Sequence, residues 1–267
     1  MAAKKLITNP AKSGFVETIL ILLTLTLLTA TFLIVNLFTW KTQLIFISVL
    51  LLLAIILKYF QLMHLLVFCL FWILVPRFFL FSRQWLLLTF LIIAAYLIVV
   101  LLIPSLRKSL TWIKFGKFDK RIRCYLPGII IVSAVALIIW YVLFKPDLSN
   151  ITTMFPEMPI WLYPLAGLGF ATFNALHEEI MFRGIIMQAT DSALGAGITS
   201  IIVQGIMFGA LHFLAGFPRG VSGFALAAIY GIMLGFVRRE ARGMLAPWLA
   251  HVLADLTIFC ILASIVI

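Results

Sequence analysis

The sequence predicts an all-α fold: a polytopic transmembrane helical bundle of eight or nine spans, with its catalytic core in the C-terminal half. Three observations carry that expectation. Of the 267 residues, 64% are hydrophobic and only 11% are charged, with a mean hydropathy of +1.21, whereas soluble domains carry about 25% charged residues. The apolar residues fall into runs long enough to cross a bilayer as helices, with most basic residues in the stretches between them. From Leu165 onward small residues enter those runs, as in Gly205-Ile206-Met207-Phe208-Gly209 and Gly231-Ile232-Met233-Leu234-Gly235. Small residues at this spacing let helices approach closely in lipid.

In chain order, a short basic N-terminus (Lys4, Lys5, Lys12) precedes a first span at about 15–38 and a second at about 43–60. The first run is too long for a signal-peptide h-region and lacks a small-residue cleavage site, so it reads as a span. A third, at about 64–80, is weakened by Pro76 and Arg77. The fourth covers about 85–103 and is ended by Pro104. A basic segment follows, 105–125, in which Trp112, Phe115 and Phe118 interleave with Lys and Arg. It reads either as an amphipathic stretch on the headgroups or as an orientation-setting loop. The fifth span runs from about 127 to 144. The loop after it contains Asn150-Ile151-Thr152, a formal glycosylation sequon given no weight here. The sixth lies in the apolar run 159–187, the seventh covers about 192–214, the eighth 221–237, and the ninth starts at Met244. The chain divides into N-terminal helices with the basic loop, 1–126, and a tighter core, 127–267. The first half reads as lipid-facing packing around that core.

Charge sets orientation. With nine spans and a cytoplasmic N-terminus, fifteen of the 20 Lys and Arg residues fall inside, as the positive-inside rule expects. The net charge of +11 is thereby explained by the lipid bilayer, and no nucleic-acid partner is implied. Cys69, Cys124 and Cys260 lie far apart and have neither disulfide-framework nor zinc-ribbon spacing.

Chemistry concentrates in three places. Glu178, Glu179 and Arg183 lie in the sixth span, where each charge costs about 2.5–3.5 kcal/mol on insertion scales. Glu179 and Arg183 are four apart and can pair, while Glu178 points about 100° away around the helix. Phe208 and His212 share a face of the seventh span, and His251 and Asp255 a face of the ninth. A lone membrane histidine is more often a packing residue. Two histidines, an aspartate and a di-glutamate on separate helices of one bundle fit that reading poorly. A carboxylate with two imidazoles suits activation of water for attack on a carbonyl, directly as general base or through a metal. Glu178, His212, His251 and Asp255 would form the metal set, and zinc needs only three protein ligands plus a water. Ser222 and Cys260 are weak nucleophile candidates without an evident base, and the His-Glu-x-x-His zinc pattern is absent.

These motifs, Glu-Glu-x-x-x-Arg, Phe-x-x-x-His and His-x-x-x-Asp, resemble the signature of the CPBP intramembrane proteases. That family includes type II CAAX prenyl endopeptidases and bacterial relatives linked to bacteriocin processing or immunity. The resemblance covers about 165–256. It implies a peptidase acting on a membrane-associated or lipidated protein or peptide, in a bacterial plasma membrane. It further implies that Glu178 activates the hydrolytic water beside His212 and that Glu179 and Arg183 brace the helix. His251 and Asp255 match positions credited either with oxyanion stabilisation or with metal binding. Where many members carry asparagine this chain has Asp255, which cannot donate to an oxyanion when ionised. Two other functions compete: a proton-coupled transporter using Glu178, His212 and His251 as a relay, and a non-catalytic membrane scaffold. The absence of an internal repeat weighs against the first, the intact polar set against the second.

Overall fold

The computed structural model describes residues 12–34, 37–78, 85–148 and 158–266; the sequon at Asn150 lies outside them. Among the described residues every predicted span is helical and no strand occurs. The protein is an all-α, multi-pass integral membrane bundle. The helices are α1 (Phe15–Leu33), α2 (Trp40–Leu57), α3 (Phe60–Phe78), α4 (Trp85–Leu102), the short α5 (Pro104–Ser109) and α6 (Lys120–Phe144). Then come α7 (Tyr163–Glu179), a π-helical stretch (Ile180–Ile186) and α8 (Met187–Leu194), which form one unbroken run. The chain closes with α9 (Ile198–Leu214), α10 (Gly220–Ala241) and α11 (Leu245–Val266). Six of these, α1, α2, α3, α6, α10 and α11, are long and apolar enough to cross a membrane; Leu86–Leu102 and Ile198–Leu214 are shorter apolar helices.

Three boundaries differ from expectation, each for a local reason. Pro76 does not weaken α3, because it falls in the last turn, where little helix remains to disrupt. Helix α3 is buried through Gln61–Cys69 on all its faces, which places it inside the bundle. Helix α6 starts at Lys120, ahead of the predicted 127, because Asp119 caps it by accepting from the Arg121 and Ile122 amides, both at 3.1 Å. Ser192 does not open the seventh span. It belongs to α8, and the chain turns only at Gly195, whose φ of 83° suits glycine.

The basic segment is helical at its two ends, in α5 and the first turns of α6, while residues 110–119 between them form neither helix nor strand and are stitched to the α10–α11 turn. The Lys117 amide donates to Ala241 O (2.7 Å), the Met244 amide to Lys114 O (2.8 Å), and the Leu245 amide to Phe115 O (3.1 Å). Its Trp112 is buried against Gly184, where a Cβ would stand 2.9 Å from the indole ring.

The N-terminal helices do more than face lipid. One core joins α1, α3, α4 and Trp112 to the π-helical stretch and α9, through residues such as Ile21, Leu65, Tyr96, Phe182 and Phe208. Apolar burial drives helix association little when the alternative is lipid, so interhelical hydrogen bonds matter more, at about 0.6–2 kcal/mol each. Gln188 of α8 donates to Gln61 of α3 (2.8 Å) and accepts from the Thr111 amide (2.8 Å) and hydroxyl (2.9 Å). The Ser109 hydroxyl donates to Leu106 O, so it accepts from His64 Nε2, and Tyr96 OH then donates to His64 Nδ1. A continuous polar seam thus anchors the run carrying Glu178 and Glu179 to the first half of the chain.

Candidate active site

Helix α7 brings its functional residues to α11 along a face of small side chains. Ala171 and Ala175 pack with Val252, and Gly167 lies under the Phe259 ring, where a Cβ would come within 2.5 Å. This close approach lets short acidic side chains on α7 reach His251 on α11. On the other side, Gly205 and Gly209 of α9 press on α10: a Cβ on Gly209 would meet Phe224 O at 2.6 Å. That contact carries Phe208 and His212 inward.

Glu179 and Arg183 pair as their spacing predicts, with Arg183 Nη1 2.9 Å from Glu179 Oε1. The pair spans the start of the π-helical stretch, a local widening that recurs at functional sites. The Arg183 guanidinium lies over the Phe208 ring (4.6 Å) and its Nη2 reaches Gly231 O at 3.4 Å. Arg183 is wholly buried, so it is not one of the charges that orient the loops, where the charge count had placed it.

Glu178 does not point away from its neighbour's business. His251 lies between the two glutamates: its Nδ1 stands 2.8 Å from Glu179 Oε1 and its Nε2 3.3 Å from Glu178 Oε2. Asp255 Oδ1 is 3.8 Å from the same Nε2, and Asp255 Oδ2 accepts from Asn174 Nδ2 at 2.9 Å. The imidazole edge contacts the rings of Phe208 (5.7 Å) and Tyr230 (5.6 Å). His212 Nδ1 is 3.0 Å from Phe208 O, a group that only accepts, so Nδ1 carries the proton and Nε2 keeps its lone pair. Glu178 is within electrostatic reach of His177, His212 and His251. Glu178, Glu179, Arg183, His212, His251 and Asp255 are therefore brought together in one buried cluster.

Two features escaped the sequence reading. Asn174 stands one helical turn before Glu178, a polar residue at i−4 in an apolar run, and that spacing was a usable signal. Gly216, in the exposed turn after α9, lies against His212: a Cβ there would come 3.0 Å from Nε2. No spacing in the sequence announces it. Ser222 accepts from Trp140 Nε1 (3.1 Å) at the start of α10, and Cys260 is exposed, so neither joins the cluster. An apolar cavity of about 540 Å³ opens among α1, α2 and α3 and reaches α9 at Leu211. Phe32, Phe46 and Trp72 line it, with Leu211, the neighbour of His212.

A metal tests the donor set differently. Among the described residues no group of three or more His, Cys, Asp and Glu side chains is disposed to hold a metal ion. Both nitrogens of His251 face carboxylates, and one oxygen of Asp255 is taken by Asn174. As placed, Glu178, His212, His251 and Asp255 do not form the expected zinc set.

Comparison with known families adds an independent finding. Residues 159–257 match the family model described as type II CAAX prenyl endopeptidase Rce1-like. The matched region holds all three motifs of the cluster. No curated protein and no solved structure matches the chain.

Proposed function

We propose that the chain, whose residues 159–257 match the Rce1-like family model, is an intramembrane endopeptidase. It hydrolyses a peptide bond of a membrane-associated or lipidated protein or peptide. The observation that carries this reading is the meeting of Glu178, His212 and His251, from three helices, in one buried site.

The chemistry follows from which atoms are free. A water held between Glu178 and the lone pair on His212 Nε2 gives its proton to the Glu178 carboxylate as its oxygen attacks the scissile carbonyl carbon. The tetrahedral oxyanion that forms takes a hydrogen bond from His251 Nε2–H. That donor is held only loosely by Glu178, at 3.3 Å, while Nδ1 is committed to Glu179 at 2.8 Å. Glu178 then returns the proton to the leaving amine as the C–N bond breaks, giving one carboxylic acid and one amine, and the acid afterwards loses its proton to water. Glu179 and Arg183 do not touch substrate; they fix the tilt of His251 and the register of the helix.

Access fits this reading. The exposed turn at Gly216 gives water a way to His212, and the cavity beside Leu211 gives an apolar stretch of substrate a place next to the site. The positive-inside count supports a cytoplasmic N-terminus, and the bacterial members of the family support a bacterial plasma membrane. The direct test is cleavage of a fluorogenic peptide library by the purified protein in liposomes. Products with a new amine terminus are expected, and absence of cleavage across soluble, transmembrane and lipidated peptides would overturn the reading.

A further inference from the structure

The proposed chemistry needs a donor on His251 Nε2 that can leave its resting partners for the oxyanion. Two carboxylates compete for it, Glu178 at 3.3 Å and Asp255 at 3.8 Å. At full ionisation a buried carboxylate beside an imidazole would close to normal ion-pair distance, about 2.7–2.9 Å, and hold that proton. Asp255 is buried and sits one helical turn from His251, well able to do so. Its Oδ1 stays at 3.8 Å from Nε2, while its other oxygen, Oδ2, accepts from Asn174 Nδ2 at 2.9 Å, which fixes the carboxylate at that distance.

We propose that Asn174 is a positioning residue of the catalytic site, holding Asp255 back from His251 so that Nε2–H stays available to substrate. The inference rests on the peptidase reading given above. Asn174 is itself more than nine-tenths buried and shares a face of α7 with Glu178. Its amide therefore tethers the α11 carboxylate from the same helix that presents the general base. It belongs to none of the three motifs. With the tether removed, Asp255 turns onto Nε2. The site keeps its carboxylates and its imidazole but loses the free donor.

The effect separates from simple packing. Asn174→Leu should lower kcat at least tenfold with KM within twofold and shift the alkaline or acid limb of the pH–rate profile. The melting temperature should fall little, because a new Asp255–His251 ion pair replaces the lost hydrogen bond. Asn174→Asp, which sets two carboxylates against each other, should be worse. The exchange variant Asn174→Asp with Asp255→Asn restores one amide donating to one carboxylate and should recover at least tenfold over Asn174→Asp alone. All four proteins, wild type included, are assayed in liposomes with the same peptide. If Asn174→Leu keeps wild-type kcat and pH profile, or if the exchange variant is no better than Asn174→Asp, the inference is overturned while the peptidase reading stands. Should Asn174→Leu misfold, the exchange comparison decides alone. A wild-type protein that cleaves nothing overturns the peptidase reading and this inference with it.

Discussion

Arg183 Nη1 lies 2.9 Å from Glu179 Oε1, and neither side chain reaches solvent. The same glutamate oxygen faces His251 Nδ1 at 2.8 Å, so one carboxylate couples the Arg183 pair to the His251 imidazole. Removing one partner of a buried pair leaves an uncompensated charge and costs about 3–5 kcal/mol. Glu179→Gln should therefore lower the thermal unfolding midpoint in detergent as well as the rate. A variant with an unchanged midpoint would show that the pair does not brace the helix.

Gly216 controls what can stand beside His212. A methyl group there would lie 3.0 Å from Nε2, on the side where the proposed hydrolysis places its water, and the backbone φ of 77° disfavours any side chain. Gly216→Ala should reduce kcat at least tenfold. Full activity in that variant would place the water elsewhere.

Close packing of α9 on α10 is equally specific. A Cβ at Gly209 would meet Phe224 O at 2.6 Å and Ala228 Cβ at 2.7 Å, so the helices must part to admit it. Overpacking of this kind costs about 1–3 kcal/mol. Gly209→Val should lower the unfolding midpoint and the rate together, since Phe208 and His212 would shift with α9. An unperturbed Gly209→Val protein would mean that the two helices are not held at this distance.

Asp255 distinguishes hydrolysis by the side chains alone from hydrolysis through a metal. Asn174 already occupies one of its oxygens, and an amide at 255 can keep that bond through its own oxygen. Asp255→Asn should preserve or raise activity, and a chelator should leave the wild-type rate within about twofold, because removing charge near the oxyanion does not remove a donor. Loss of activity in the variant, with chelator inhibition reversed by zinc, would establish the metal route.

Much of this architecture was legible in the chain itself, because in lipid the helical spans must be apolar and their charges must be paired. The spacing of Glu179 and Arg183 gave their ion pair, and the three motifs gave the clustering of Glu178, His212 and His251. Other features depend on tertiary contacts that periodicity does not encode. The angle of 100° between Glu178 and Glu179 suggested divergent roles, yet His251 on α11 bridges the two through opposite ring nitrogens. Pro76 looked disruptive because its distance from the end of α3 was not visible. The course of the basic segment between α5 and α6 is fixed by backbone bonds to the α10–α11 turn, more than a hundred residues away. Hydrophobicity showed that the first half lies in membrane, but the Gln61–Gln188 bond that ties it to the site helix links two residues with no pattern in common.

In the proposed hydrolysis Glu178 takes the proton of the attacking water, and a single substitution isolates that step. Wild-type protein and Glu178→Gln are reconstituted at equal amounts in liposomes, checked for equal melting temperature, and assayed with the same cleavable peptide. Loss of a positioned general base removes about 10²–10⁴-fold in rate, so the variant should fall at least a hundredfold while remaining folded. A folded Glu178→Gln protein that cleaves the peptide at the wild-type rate would contradict the account.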